Sequence, residues 1–304
     1  MAEKNNVEED RVTKPLCKLI KEDKLEELKG YIPVREFGIY VERSLNIDIV
    51  AINRKFGLNG YDDAVAIECK YGDDINDAIK NALGQALSYQ TSFKKVYIAV
   101  NKGSNPNVYV NKILKKLGIG LITLRHKRAK VKLSPKSDTL DLFSRNLYKK
   151  NTLYRGFLIA AFARACEANG YSKRDLHFDW KGSKNREGSK KKSLHIWMEM
   201  PIIKDKLRIG CAYSLKLNKK NEPEKVKEAA LRLSIKGLDY DKSIKEQIAK
   251  EFPCTRPKRA KKRGPQEWDC DLRSLIEENN TKGIQKIIKD RVRWVNNNLK
   301  DKIS

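Results

Sequence analysis

The fold is decided by residues 64–89, which read AVAIECKYGDDINDAIKNALGQALSY. The first seven residues are mostly apolar and partly β-branched, which is typical of a buried strand. From residue 75 onward, apolar residues recur at helical spacing, and Asp73 and Asp74 before them suit the beginning of a helix. The stretch therefore predicts a buried strand that is followed directly by an amphipathic helix.

The sequence on either side extends this pattern into an α/β sheet. Upstream, residues 12–29 predict an amphipathic helix that either runs through or breaks near Glu22, and IDIVAI at 47–52 predicts a strand paired with the first one across a turn. Downstream, VYIAV at 96–100 and LGIGLITL at 117–124 predict central strands with a helix between them. The predicted order is helix, two or three strands, helix, strand, helix, strand.

The charge of the chain points to a polyanionic partner. Its 304 residues carry a formal net charge of +26, from 65 Lys and Arg against 39 Asp and Glu. Nucleic acid is the natural partner for such a field. Residues 1–150 account for +9 and residues 151–304 for +17. We therefore predict a nuclease-like domain over residues 1–135 and a basic α+β domain for nucleic-acid binding over residues 136–304.

Several classes of protein do not fit the composition. No apolar run approaches the roughly 20 residues of a membrane-spanning helix, and the N-terminus MAEKNNVEED lacks the apolar core of a signal peptide. The six cysteines form no CxxC pair and do not cluster with the three histidines, which argues against a zinc knuckle and a disulfide scaffold. We expect an intracellular, cytoplasmic protein with reduced thiols and no membrane partner.

Two carboxylates and a lysine are expected to meet on the central sheet. Side chains alternate between the faces of a strand, so Glu68 and Lys70 share one face of AVAIECK and Cys69 lies on the other. In IDIVAI the same alternation separates Asp48 from the apolar residues beside it. Pairing of the two strands would bring Asp48 near Glu68.

This group has the parts that phosphodiester hydrolysis needs. Asp48 and Glu68 offer hard oxygen ligands for Mg²⁺, for which Mn²⁺ is expected to substitute, and the backbone carbonyl of Cys69 is a further candidate ligand. Lys70 would orient the attacking water and stabilise charge in the transition state. The alternative is that these residues are strand-end caps and a solvated sheet edge.

An Asp on one strand followed by a Glu-x-Lys on the next resembles the PD-(D/E)XK nuclease superfamily, and here the residues are Asp48, Glu68 and Lys70. The resemblance implies a restriction-endonuclease-like core, in which a mixed central sheet is flanked by helices. It covers about residues 12–125, and Ile47 stands where the family has a proline.

Two residues of the following helix strengthen the resemblance. Gln85 and Tyr89 are similar to the QxxxY element of many exonuclease and recombination-nuclease branches, and their spacing places them on neighbouring turns. The resemblance implies that Gln85 acts near the metal or the substrate phosphate and that Tyr89 supports it. Some branches add a glutamate from the first helix, and the sequence leaves Glu22, Glu26 and Glu27 open for that role.

Three basic runs, at 125–136, 181–192 and 256–263, are candidates for phosphate contact, although such runs are also typical of solvated loops. The residues predicted to bind nucleic acid are Lys127, Arg128, Lys190, Lys191, Lys192, Lys258, Arg259, Lys261, Lys262 and Arg263.

The sequence thus favours a Mg²⁺-dependent nuclease that acts on DNA, as an endonuclease of restriction, defence or repair type, and that could work as a homodimer. Two alternatives stay open. One is a nucleic-acid-binding protein whose nuclease-like scaffold is inactive, and the other is a nuclease that acts on RNA.

Overall fold

The structure is a computed structural model of the chain, and it divides into two compact units, Met1–Gly156 and Phe157–Ser304. It describes residues 2–40, 44–58, 63–101, 104–125, 128–136, 147–178, 194–204, 206–217, 223–235, 242–255 and 266–303. The functional roles assigned to residues 1–135 and 136–304 stay predictions.

The first unit is built on a mixed six-stranded sheet with the strand order β1-β2-β3-β4-β5-β6. Strands β1, β2 and β3 pair antiparallel, β3, β4 and β5 pair parallel, and β6 is antiparallel to β5. The elements in chain order are α1 (Ala2–Lys21), β1 (Ile32–Tyr40), β2 (Ser44–Ile52), β3 (Ala64–Lys70), α2 (Ile75–Tyr89), β4 (Lys95–Val100), α3 (Val108–Leu117), β5 (Gly120–Arg125) and β6 (Arg128–Leu133).

Apolar side chains bury both faces of the central strands. On one face, odd-numbered residues such as Ile49, Ile67 and Ala99 form a core with Leu16 and Ile20 of α1. On the other face, α2 contributes the buried residues Ile75, Ala78, Ile79, Ala82, Ala86 and Tyr89. Because β3 is covered on both sides, its sequence is apolar almost throughout.

The helix that follows β3 begins where the sequence predicts. Asp74 is the N-cap of α2, and its carboxylate accepts hydrogen bonds from the backbone N–H groups of Asn76 and Asp77. Asn107 caps α3 in the same way, and Gly118 ends it with a φ of 68°. These caps fix the two helices behind the carboxyl ends of β3 and β4.

The second unit contains an antiparallel sheet with the order β11-β12-β10-β9-β8-β7. Helix α4 (Leu147–Glu167) contains the division between the units. The elements that follow are β7 (His177–Phe178), β8 (Leu194–Ile203), β9 (Leu207–Leu217), β10 (Pro223–Ile235), α5 (Lys242–Glu251), β11 (Cys254–Thr255), β12 (Gln266–Asp271), α6 (Arg273–Glu277), α7 (Thr281–Asn298) and α8 (Lys300–Ile303). The molecule is therefore of mixed α/β class.

Most of the predicted elements are confirmed, and two predictions are wrong. The first helix begins at Ala2 rather than near residue 12, although it does end at Lys21, close to the expected break. The basic stretch 125–136 has no helical stripe and predicts the beginning of a domain junction, but it contains β6 at the edge of the sheet. Alternating Lys and apolar residues in RAKVKL suit an edge strand, whose charged side chains discourage pairing with other chains.

None of the helices in the described parts of the chain combines the length and apolar character that a membrane span requires.

Candidate active site

Glu68 and Lys70 lie together at the carboxyl end of β3, the edge where open α/β sheets usually bind ligands. The Glu68 side chain is completely buried, and its Oε1 atom lies 3.0 Å from Nζ of Lys70, whose side chain is 19% exposed. Burying a carboxylate is costly unless it is paired and hydrogen-bonded. The ion pair with Lys70 provides one part of that compensation.

Tyr89 provides another part from the last turn of α2. Its hydroxyl donates a hydrogen bond to Oε2 of Glu68 over 2.6 Å, and it also lies 3.0 Å from the backbone carbonyl oxygen of Asn46. Burial raises the pKa of the Tyr89 hydroxyl far above its ordinary value, and the negative charge of Glu68 raises it further. Tyr89 is therefore a neutral donor that fixes the orientation of the Glu68 carboxylate.

Asp48 is joined to β3 through the backbone of the residue between Glu68 and Lys70. Its Oδ2 atom accepts a hydrogen bond of 2.7 Å from the N–H of Cys69. The pairing of β2 with β3 ends at Ile49 and Ile67, just before this point. A side-chain acceptor thus takes over where the backbone ladder stops, and it holds the Asp48 carboxylate against β3.

The same hydrogen bond defines the direction of the Cys69 carbonyl. In a strand, the N–H and the C=O of one residue point to the same neighbouring strand. Because the N–H of Cys69 reaches Asp48 on β2, its carbonyl is directed towards β2 as well. The predicted ligand set of Asp48, Glu68 and this carbonyl is therefore compatible with the backbone geometry.

The thiol of Cys69 lies on the opposite face, in the core beneath α1. Burial raises its pKa well above the ordinary value, and the charge of Asp48 raises it further, whereas a hydrogen bond with Thr13 acts in the other direction. A buried, protonated thiol is not a nucleophile. The Cys69 thiol therefore lies on the face of the sheet opposite Glu68 and Lys70.

One feature beside Asp48 has no signal in the sequence. Glu36 of β1 has a φ of 49°, in the left-handed region. The register pairs Arg35 with Ile49 and Phe37 with Ile47, so Glu36 falls opposite Asp48. A left-handed conformation costs roughly 1–2 kcal/mol for a residue with a side chain, and such strain often clusters at functional sites. Because glutamate has no preference for this conformation, only the structure could reveal it.

Other predicted residues are less closely connected to this group. Gln85 is exposed on α2, and no described contact joins its side chain to Glu68, so its role stays a prediction. Glu22 and Glu26 form ion pairs with neighbouring lysines at 2.7 and 3.8 Å. Glu27 acts electrostatically on Tyr97, whose side chain belongs to the core on the α1 side.

Of the residues predicted to bind nucleic acid, Arg128 is exposed at the start of the edge strand β6. The others lie outside the described residues: Lys127, Lys190, Lys191, Lys192, Lys258, Arg259, Lys261, Lys262 and Arg263.

The oxygen atoms at this end of β3 could hold a hard cation only with few protein ligands. Two carboxylates and a carbonyl are oxygen donors of the kind that Mg²⁺ accepts, and this ion commonly keeps several waters. Within the described part of the chain, no three or more His, Cys, Asp or Glu side chains are grouped so as to hold a metal ion. A cation here would therefore rest on two carboxylates at most among the described side chains, with water and substrate completing its shell.

Comparison of the chain with protein-family models, with curated proteins and with solved structures found no match.

Proposed function

We propose that the chain is a Mg²⁺-dependent nuclease that hydrolyses phosphodiester bonds of DNA, and that its first unit is a restriction-endonuclease-like core. The observation that carries the proposal is the junction of Asp48, Glu68 and Lys70. The Asp48 carboxylate binds the amide between the other two residues, and the Lys70 amine lies 3.0 Å from Glu68. Two acids and a base thus meet at one end of a buried strand.

The order of elements supports this reading of the fold. A helix, an antiparallel strand triplet, a second helix, a strand, a third helix and a strand follow one another from α1 to β5, which is compatible with the mixed central sheet and flanking helices that the family resemblance implies. The helical Tyr89 contacts the Glu of the motif directly. A chance Glu-x-Lys at a strand end does not explain this contact.

The oxygen donors fit a divalent cation, which Asp48, Glu68 and the Cys69 carbonyl would hold. When bound, the metal would neutralise phosphate charge and acidify a water molecule. Lys70 is the more exposed member of the ion pair with Glu68. It would orient that water and stabilise the charge that develops on the phosphate. Tyr89 would keep the Glu68 carboxylate in one orientation while its lysine partner contacts the substrate.

The basic character of the chain supports a nucleic-acid substrate, with a net charge of +26. We propose endonucleolytic cutting of DNA. Two copies of the chain would act together on a duplex, and each copy would cut one of the two strands. Matched DNA and RNA substrates would separate the deoxyribonuclease from the RNA nuclease.

A sharp test replaces Lys70 with Met and compares it with Lys80→Met. Lys80 is an exposed lysine on α2, and its Nζ lies 3.2 Å from Asp77, so both variants lose a lysine that is paired with an acid. We expect Lys70→Met to lose cleavage by about 100-fold or more and Lys80→Met to cleave as wild type does. Full activity of Lys70→Met would contradict the assignment.

The second candidate is a nucleic-acid-binding protein with an inactive core. It is favoured by the fact that both oxygens of Glu68 already have partners within the fold, Lys70 and Tyr89. In that case, the three charged residues stabilise the sheet and nothing more. Binding without cutting under every metal condition, on DNA and RNA alike, would support this candidate.

A further inference from the structure

Helix α7 carries a row of exposed cations on the side that faces away from its core. Its buried side consists of Ile284, Ile288, Val292 and Val295. Its exposed cations follow one another at intervals of four, three and four residues, which places them along one helix side. This cationic stripe consists of Lys282, Lys286, Lys289 and Arg293.

The described carboxylates do not balance the cationic stripe, whereas they do balance two other cations of the second unit. Arg291, at the border of the same helix, forms an ion pair with Glu251, and Arg232 is enclosed by Glu228 and Asp269. Among the described carboxylates, none forms an ion pair with a member of the stripe. The helix itself contains a single acidic residue, Asp290.

Such an arrangement is unfavourable for the isolated protein. Like charges at i and i+4 destabilise a helix by about 0.2–0.5 kcal/mol per pair, and Lys282 with Lys286 and Lys289 with Arg293 are two such pairs. The acidic residue of the helix, Asp290, lies one turn from Lys286 and from Arg293, but it forms no ion pair with either of them. The balance of charge is instead expected from a partner.

We propose that the cationic stripe binds the sugar–phosphate backbone of nucleic acid. The inference rests on the proposed function, because it assigns part of the substrate-binding surface of the same nuclease. From Lys282 to Arg293 the stripe extends roughly 16 Å at 1.5 Å per residue, which matches several successive phosphates of one strand, at about 3.4 Å of rise each.

The packing of α7 decides between nucleic acid and an anionic membrane. A helix that binds a membrane surface inserts its apolar side into the lipid. In α7 that side is occupied, since Ile284, Ile288, Val292 and Val295 are each 0% exposed. The exposed side of the helix therefore presents charged side chains and no apolar surface for insertion into lipid. Such a surface suits a polyanion that is bound through its phosphates.

Phosphate contacts of this kind position the substrate without reading its sequence. Lys282, Lys286 and Lys289 are flexible point charges, and only Arg293 could bind a phosphate through two donors. The stripe therefore contributes affinity and salt dependence, whereas it leaves the choice of target to other residues.

The test compares a stripe variant with a matched control of equal charge change. The stripe variant carries Lys282→Gln, Lys286→Gln, Lys289→Gln and Arg293→Gln, which preserve helix propensity. The control variant replaces four exposed lysines that have carboxylate partners within 4.0 Å, Lys18, Lys29, Lys80 and Lys242, with Gln. Affinity for a short fluorescent DNA duplex is measured by anisotropy in chelator, over a series of KCl concentrations.

We expect the stripe variant to bind at least about tenfold more weakly at low salt, with a dependence of log K on log salt that is shallower by about 3 to 4. The control should stay close to wild type. Equal DNA binding and equal salt slopes of the stripe variant and the control would overturn the inference. It would also be overturned if the stripe variant lost binding to vesicles of phosphatidylserine and phosphatidylcholine while its DNA binding stayed unchanged.

Cleavage by the wild type is measured separately with Mg²⁺, so that the two proposals can fail independently. If DNA binding depends on the stripe but the wild type does not cut DNA, the inference is supported and the proposed nuclease activity is contradicted. Cleavage by wild type together with a stripe variant that binds as tightly as the control contradicts the inference alone.

Discussion

The hydrogen bond from Tyr89 to Glu68 gives the most specific prediction of the account. Tyr89→Phe removes only the hydroxyl, whose oxygen lies 2.6 Å from Oε2 of a carboxylate that is 0% exposed. The aromatic ring stays in place, so neither a cavity nor a change of hydrophobic contact is expected. What is lost is a donor to a buried negative charge.

The magnitude follows from the kind of bond. Hydrogen bonds to charged groups contribute about 1.5–3 kcal/mol to stability. The Lys70 amine, 3.0 Å from the other oxygen, stays in place and limits the loss. We expect Tyr89→Phe to lower the free energy of unfolding by about 1.5–3 kcal/mol, and to reduce cleavage because Glu68 is less firmly oriented.

Urea unfolding of Tyr89→Phe, Glu68→Gln and the double variant forms a double-mutant cycle. We expect a coupling free energy of about 1 kcal/mol or more between the two positions. Tyr97→Phe is the control, because Tyr97 is also buried and, in the described part of the chain, its hydroxyl makes no hydrogen bond. A loss below about 0.5 kcal/mol in Tyr89→Phe, or no coupling, would refute the reasoning.

Three further predictions concern stability. Burial raises the pKa of the Cys211 thiol from 9.0 to about 12, so the unfolded chain releases this proton first, and stability is lost as the pH rises from about 9 to 12. The slope is about 1.4 kcal/mol per pH unit, and urea unfolding across this window should show a flatter dependence for Cys211→Ala. An equal slope of the unfolding free energy against pH in wild type and Cys211→Ala would contradict this prediction. In α4, a Cβ added at Gly156 would lie 2.7 Å from the ring of Phe56, so Gly156→Ala should destabilise the protein by about 1–3 kcal/mol. In α2, a Cβ at Gly84 meets nothing within 4 Å, and Gly84→Ala should stabilise the protein by about 0.5–1 kcal/mol. In thermal unfolding, a melting temperature that is higher for Gly156→Ala than for Gly84→Ala would contradict both predictions.

The sequence predicted the central sheet because its pattern is local. AVAIECK is apolar enough to be recognised as a buried strand, and the stripe of α2 has a clear helical period. Alternation along β3 was sufficient to place Glu68 and Lys70 on one face, and their ion pair bears this out. The polar residues 2–11 show no stripe, so the N-terminal half of α1 was missed.

Features that depend on contacts between strands could not be predicted in the same way. The bond of Asp48 to the Cys69 amide exists because the β2–β3 ladder ends at Ile49, and no residue type marks such an end. The left-handed conformation of Glu36 is imposed on a residue that does not favour it. The cationic stripe has helical spacing in the sequence. Only the structure shows that Arg291 forms an ion pair with Glu251, whereas no described carboxylate forms one with a member of the stripe.

The most direct test of the central claim is cleavage of supercoiled and linear DNA by wild type, Glu68→Gln and Asp77→Asn, each with Mg²⁺, with Mn²⁺ and with chelator. Asp77 is a control in the same unit, with its own lysine partner at 3.2 Å. We expect metal-dependent cutting by wild type and Asp77→Asn, and its loss in Glu68→Gln with DNA binding retained. Cutting by Glu68→Gln at the wild-type rate, or no cutting by wild type with either metal, would contradict the central claim.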